Sequence, residues 1–136
     1  MSAHTLIVED DPLSGRTLAA ILRHFGHEVE LVTSVQDGLA SLASEPRHVL
    51  LDLMLPDGDG ALILARIHAA RQQTRVAIVS SFVDEERIAV LLRLGAQRFF
   101  SKPVNPDELI SWLQGDAPIH AEIQPESFYP HNPPGR

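Results

Sequence analysis

The stretch that decides the fold is His48-Val-Leu-Leu-Asp-Leu-Met-Leu-Pro-Asp-Gly-Asp-Gly60. Its apolar run, Val49 to Leu51, ends at the carboxylate of Asp52, and a segment rich in turn-forming residues follows. A short apolar run between polar and turn-forming residues predicts a β-strand that is buried on both faces. Asp52 would then lie at the carboxyl end of that strand, where open parallel sheets form their ligand crevice.

A second run of the same form lies near the N-terminus. There, Thr5-Leu-Ile-Val-Glu9 is followed directly by Asp10 and Asp11. We therefore expect Asp10, Asp11 and Asp52 to collect at the ends of two buried strands. Such a concentration of negative charge is unfavourable unless a cation or a proton neutralises it.

The remainder of the chain repeats a short apolar strand followed by an amphipathic helix, which gives five repeats in all. The other predicted strands cover 29–32, 76–79 and 99–100, and the predicted helices begin near residues 12, 34, 60, 84 and 105. Regular alternation of this kind predicts a parallel sheet with helices on both faces, joined by right-handed crossovers. The sequence alone leaves the order of the strands open.

Composition narrows the class of protein. The chain has 136 residues, a net charge of −7 and no cysteine, which predicts one domain without disulfides. No block of Lys and Arg is present, so we expect no direct binding of nucleic acid. Neither a signal peptide nor an apolar run of membrane-spanning length is evident, which predicts a cytoplasmic protein.

Two further expectations concern the chain's ends and its histidines. Residues 1–116 are predicted to form the domain, whereas 117–136 hold five of the ten prolines and are predicted to be a linker or tail. The seven histidines show no ligand spacing, so we interpret them as structural or solvent-facing.

Polar residues occur at the predicted carboxyl ends of four strands: Asp10 with Asp11, Asp52, Ser80 and Lys102. Because these ends share one edge of a parallel sheet, we expect the side chains to converge. Clustered carboxylates suit Mg²⁺, which prefers oxygen ligands. A lysine and a hydroxyl can contact phosphoryl oxygens. The set therefore predicts phosphoryl transfer to a carboxylate.

From about residue 4 to residue 114, the chain resembles the receiver domains of two-component response regulators, the CheY-like family. The resemblance rests on four pieces in order: Ile7-Val-Glu-Asp-Asp11, Leu51-Asp-Leu-Met-Leu-Pro-Asp-Gly-Asp-Gly60, Ser80 and Ser101-Lys-Pro103. It implies a flavodoxin-like (βα)5 three-layer sandwich with a parallel five-stranded sheet of order 2-1-3-4-5. It also implies a signalling receiver that is not an enzyme, beyond assisting its own phosphorylation and dephosphorylation.

By the same resemblance, Asp52 would accept a phosphoryl group from a histidine kinase or a histidine phosphotransfer protein. Mg²⁺ would be bound by Asp10, Asp11, Asp52 and the backbone carbonyl of Met54. Lys102 would contact the phosphoryl group.

The resemblance also implies a switch. Ser80 would be the switch hydroxyl, followed by Ser81 where the family usually has alanine, and Phe99 would take the aromatic switch position. When Ser80 turns towards the phosphoryl group, Phe99 is expected to turn inward and gain burial. Phe82 would cover the site and slow hydrolysis. Pro103 stands where the family often has a cis peptide bond after the lysine.

The helix predicted over 84–94 has two apolar residues, Val90 and Leu94, beyond those of its inner face. Either neighbouring side chains cover them in part, or they form a partner surface. The resemblance favours a partner surface, because the family uses this helix with the fifth strand and fifth helix. The partner would be a second copy of the chain or a downstream target.

The sequence disfavours three alternative functions or sites. A phosphatase with an aspartyl-phosphate intermediate needs a second acid two residues after its nucleophile, where this chain has Met54. A receiver-like protein that is never phosphorylated is disfavoured by the acid set and Lys102. Asp57 and Asp59 resemble a fragment of a calcium loop, but the rest of that pattern is missing, which favours a turn.

Overall fold

The structure, a computed structural model, describes residues 4–81 and 83–115. Its main elements in chain order are β1 (His4–Val8), α1 (Pro12–His24), β2 (Glu28–Val32), α2 (Val35–Ser41), β3 (His48–Leu51), α3 (Ala61–Ala69), β4 (Arg75–Ser80), α4 (Glu85–Arg93), β5 (Arg98–Ser101) and α5 (Pro106–Gln114). A 3-10 turn, Leu42–Ser44, follows α2, and a small antiparallel hairpin pairs Met54–Leu55 with Gly58–Asp59. Phe82 and the predicted tail, 117–136, lie outside the described residues.

The five main strands form one parallel sheet of order β2-β1-β3-β4-β5, which confirms the predicted flavodoxin-like fold. Val8 of β1 lies opposite Leu51 of β3, and Leu51 lies opposite Ile78 of β4. Because the strands are parallel and in this register, the residues at the carboxyl ends of β1, β3 and β4 lie at the same edge of the sheet.

Two apolar layers cover the sheet, one on each face. The larger layer lies under α2, α3 and α4, and the smaller layer lies under α1 and α5. Strand residues alternate between them: Leu6 and Val8 pack in the larger layer, and Ile7 packs in the smaller. Burying each such side chain contributes roughly 1.5–3 kcal/mol, so these layers fix the strands whose ends carry the polar residues.

Capping residues set where the helices begin. Asp84 and Asn105 cap α4 and α5, as the sequence predicts. The cap of α2 is Ser34, whose side chain accepts from the backbone N–H of Asp37.

Two other details of the helices are relevant. Phe25 lies at the C-cap of α1 and is exposed. Among the residues that the structure describes, no helix combines the length and hydrophobicity needed to cross a bilayer.

Candidate functional site

Asp52 lies immediately after β3, buried at the carboxyl edge of the sheet. Its backbone N–H donates to the Val8 carbonyl at 3.0 Å, which joins it to the end of β1. One carboxylate oxygen, Oδ1, accepts from the backbone N–H of Met54 at 3.2 Å. The other, Oδ2, accepts from Lys102 Nζ at 2.9 Å. The sequence prediction that Asp52 and Lys102 meet is therefore confirmed.

The backbone of Asp52 is packed directly against the start of α3. A Cβ atom placed on Gly60 would lie 2.1 Å from the Asp52 carbonyl oxygen. The Gly60 N–H also donates to the Leu53 carbonyl at 2.8 Å. Only glycine leaves enough room for this approach, and the approach fixes the peptide that carries the Asp52 carboxylate.

Glu9 is the acid that the sequence analysis missed as a site residue. It is 2% exposed, and its Oε1 lies 2.6 Å from Lys102 Nζ. Its Oε2 accepts from the Asp11 backbone N–H at 3.0 Å. Burial raises the pKa of Glu9, and the ion pair with Lys102 only partly opposes this. Burial works against the charged form of Lys102, but the contacts with Glu9 and Asp52 outweigh it and raise the pKa of Lys102.

One carboxylate oxygen from each of Glu9, Asp10 and Asp52 lies within 4.8 Å of the other two. An all-oxygen set of this size fits Mg²⁺, which binds one or two carboxylates and keeps several waters. The predicted set of Asp10, Asp11 and Asp52 is thus corrected, because Asp11 does not belong to this cluster and Glu9 does.

Asp11 has a different task, which explains the correction. Its Oδ2 accepts from the backbone N–H of Ser14 at 3.0 Å, so it is the N-cap of α1. This hydrogen bond is the main reason that the pKa of Asp11 is lowered. The signal was present in the sequence: an Asp directly before Pro12 is the usual cap at a helix start.

The remaining predicted phosphoryl contacts lie at the same sheet edge. Ser80 ends β4 and is buried, and its carbonyl accepts from the Lys102 backbone N–H at 3.1 Å. Ser81 is exposed. The Lys102–Pro103 peptide is cis, as the resemblance implied. The Met54 side chain is 81% exposed, and the role of its carbonyl as a metal ligand stays a prediction.

Phe99, the predicted aromatic switch residue, lies inward in the structure. The ring is already buried, at 7% exposure, and packs in the larger apolar layer with Ile88 and Leu91 of α4. The inward turn of this ring on phosphorylation stays a prediction. The same layer takes up part of Leu94, whereas Val90 is 42% exposed. Of the two predicted surface residues, only Val90 lies open to solvent.

The fold and the site together define a CheY-like domain, with three carboxylates and a lysine at the carboxyl edge of a parallel sheet. The chain belongs to the response regulator receiver domain family, whose model matches residues 5–114. This confirms the resemblance drawn from the sequence.

Individual relatives agree with this assignment. The chain is 31% identical over 109 residues to the acid tolerance regulatory protein ActR of Rhizobium meliloti (strain 1021), covering 79% of this chain and 56% of ActR. It is 39% identical over 113 residues to the sensory transduction protein RegX3 of Mycobacterium tuberculosis, covering 80% and 48%. The chain thus spans about half the length of the curated relatives it matches.

A solved structure supports the fold directly. The receiver domain protein (CheY-like) of Methanospirillum hungatei JF-1 is 30% identical, with a TM-score of 0.79 over 84% of this chain and 92% of that chain.

Proposed function

We propose that this receiver domain accepts a phosphoryl group on Asp52 from the phosphohistidine of a sensor kinase or phosphotransfer protein, and that it acts as a signalling switch and not as an enzyme on other substrates. One observation carries the proposal. The Asp52 carboxylate lies at the sheet edge in contact with Lys102, with two further carboxylates beside it. A nucleophile, a cation and an oxygen set for Mg²⁺ are the groups that this transfer requires.

The chain's own residues suggest how the transfer proceeds. An oxygen of Asp52 attacks phosphorus, the bond from phosphorus to the histidine nitrogen breaks, and the imidazole leaves with the electron pair. Lys102 is held by Glu9 as well as by Asp52. It can therefore turn to a phosphoryl oxygen without losing its anchor. Mg²⁺ bound by Glu9, Asp10 and Asp52 would neutralise charge between carboxylates and phosphoryl group.

The donor's approach is suggested by the surface next to Lys102. A groove of about 210 Å³ lies between α1 and the segment after β5, and it is mainly apolar. Leu13 and Val104 line it beside Lys102, and Leu13 is exposed. A donor that brings its histidine to Asp52 can place an apolar side chain in this groove.

We further propose that phosphorylation changes the surface formed by α4, β5 and α5. Ser80 can donate to a phosphoryl oxygen only after transfer, which favours a second position of the segment between β4 and α4. Val90 is an exposed large apolar residue of α4, so we place the contact with a second copy or a downstream target there.

The test is labelling of Asp52. Wild-type protein incubated with acetyl phosphate or a histidine kinase should be labelled in the presence of Mg²⁺ and not after chelation. Asp52→Asn should lose the label. Glu28→Gln is the matched control, because Glu28 is an exposed carboxylate at the opposite edge of the sheet. Label that persists in Asp52→Asn refutes the assignment of the acceptor.

A further inference from the structure

The segment between Asp52 and Gly60 is a folded hairpin, and most of its side chains contact the rest of the domain. Leu53 and Leu55 are buried in the larger apolar layer. Leu55 lies opposite Gly58, and Met54 lies opposite Asp59. The hairpin's two acids, Asp57 and Asp59, take no part in the carboxylate cluster of the site. They bind neighbouring helices instead, so the alternative of a calcium loop is not supported.

Asp57 binds the start of α2. Its two carboxylate oxygens accept from the backbone N–H groups of Val35, at 2.7 Å, and Gln36, at 3.0 Å. The hydrogen bonds from Gln36 and Val35 lower the pKa of Asp57, so it is ionised at neutral pH. One side of the hairpin is thereby fixed to α2.

Asp59 binds both α3 and α4. Its Oδ1 accepts from the backbone N–H of Ala61 at 2.9 Å, which caps α3. Both of its oxygens lie 2.6 Å from Nη2 of Arg87. Arg87 is itself fixed at its other end, because its backbone N–H donates to the side chain of Asp84, the cap of α4, at 2.8 Å.

The position of Arg87 on α4 connects this ion pair to the proposed partner surface. Val90 follows three residues later, so the two side chains lie on the same face of the helix. The segment that carries Asp52 is therefore joined to the exposed face of α4 by one side-chain contact. The route of Ser80 and Phe99 is separate, since it passes through β4 and β5.

We propose that the Asp59–Arg87 ion pair is a brace that positions α4 against the hairpin and opposes the switch at Asp52. The inference rests on the proposed function of Asp52. Gly60 packs against the Asp52 carbonyl, so the hairpin cannot follow a movement of the segment between β4 and α4. When Ser80 is drawn to the phosphoryl group, Arg87 must leave Asp59 or strain against it.

The brace is tested with Arg87→Gln, Asp59→Asn and the double variant. Asparagine at position 59 retains an oxygen that can cap α3. Arg93→Gln is the matched control, since it removes a charge from the last turn of the same helix. Each protein is titrated with beryllofluoride and Mg²⁺, a mimic of the phosphoryl group, while the amide resonance of Val90 is followed by NMR.

Both partners of the ion pair are partly exposed, so their interaction is modest. Each single variant should bind the mimic about two- to fivefold more tightly than wild type, and the double variant no more tightly than either single variant. The gain should shrink in about 1 M salt, which screens the ion pair in wild type. A change in overall stability alone would not produce this pattern.

Three results would overturn the brace while the wild-type protein responds normally: affinities equal to that of Arg93→Gln, weaker binding in the single variants, or additive effects in the double variant. If wild type shows neither a response to the mimic nor labelling at Asp52, the proposed function fails instead, and the inference fails with it.

Discussion

Replacement of His48 should remove a large part of the protein's loss of stability in acid. His48 begins β3 at the edge opposite the acid site and is 1% exposed. Its Nε2 lies 3.5 Å from Arg75 Nη1, and its ring packs edge-on against Trp112. Burial, followed by the charges of Arg75, Arg47 and His27, lowers the pKa of His48 from 6.5 to about 4.

The direction of the effect follows from this lowered pKa. Between pH 6.5 and about 4, the unfolded chain binds a proton at His48 and the folded chain does not. The contribution of His48 to the free energy of unfolding is therefore fully present above the unfolded pKa. It is lost as the pH drops towards the folded pKa. The difference between the two pKa values corresponds to about 3 kcal/mol in full, of which about 2 kcal/mol is lost between about pH 7 and about pH 4.5.

The assay is urea denaturation of wild type, His48→Leu and a control, His68→Gln, at both pH values. His68 is an exposed histidine on α3. Wild type and His48→Leu share every other titrating group, so their difference isolates His48, and His68→Gln shows the effect of removing an exposed histidine instead. Wild type and His68→Gln should lose about 2 kcal/mol more than His48→Leu on acidification. Equal losses in all three proteins would refute the placement of a neutral, buried histidine at this position.

Two further predictions concern the segment after Asp52. Gly60→Ala should lower the free energy of unfolding by ~1–3 kcal/mol, because a methyl group has no room beside the Asp52 carbonyl; an unchanged midpoint in urea would contradict this packing. Asp57→Ala should speed amide exchange at Val35 and Gln36, which lose their acceptor, while exchange in α5 serves as the internal control. Because the folded pKa of Asp57 is lowered from 3.8, its contribution to stability is complete above that value and is lost as the pH falls through the folded pKa, a loss that the variant should lack.

The sequence predicted the fold and the central pair of the site because both depend on local pattern and on parallel order. Buried strands read as continuous apolar runs, and any polar residue that follows such a run must lie at the common edge. Asp52 and Lys102 were found in this way. The sequence pattern did not show whether Glu9 or Asp11 belongs to the carboxylate cluster, since three acids follow β1 in succession. Alternation along a strand cannot separate these two acids, which lie two positions apart; Asp11 stays outside the cluster because it caps α1.

The local sequence pattern could not predict contacts between elements that lie far apart in the chain. Asp57 binds residues 22 and 21 positions away, and Asp59 binds Arg87, 28 positions away. A turn-forming acid gives no sign of such partners in sequence. The burial of Phe99 could not be predicted from local pattern either, because a ring on an edge strand is covered only if another element packs over it. In the structure Phe99 shares the larger apolar layer with Ile88 and Leu91 of α4.

The central position of β1 in the sheet has a consequence for how the protein folds. β1 pairs with β2 on one side and with β3 on the other. Two helices, α1 and α2, separate β1 from β3 along the chain. Every strand pair in the main sheet closes a crossover loop, so chain entropy is lost before any pairing energy is gained. Glu9 and Asp10, which follow β1, meet Asp52 only when the longest of these connections, from β1 to β3, has closed. A nascent or partly refolded chain therefore lacks the assembled carboxylate cluster until β3 has paired with β1.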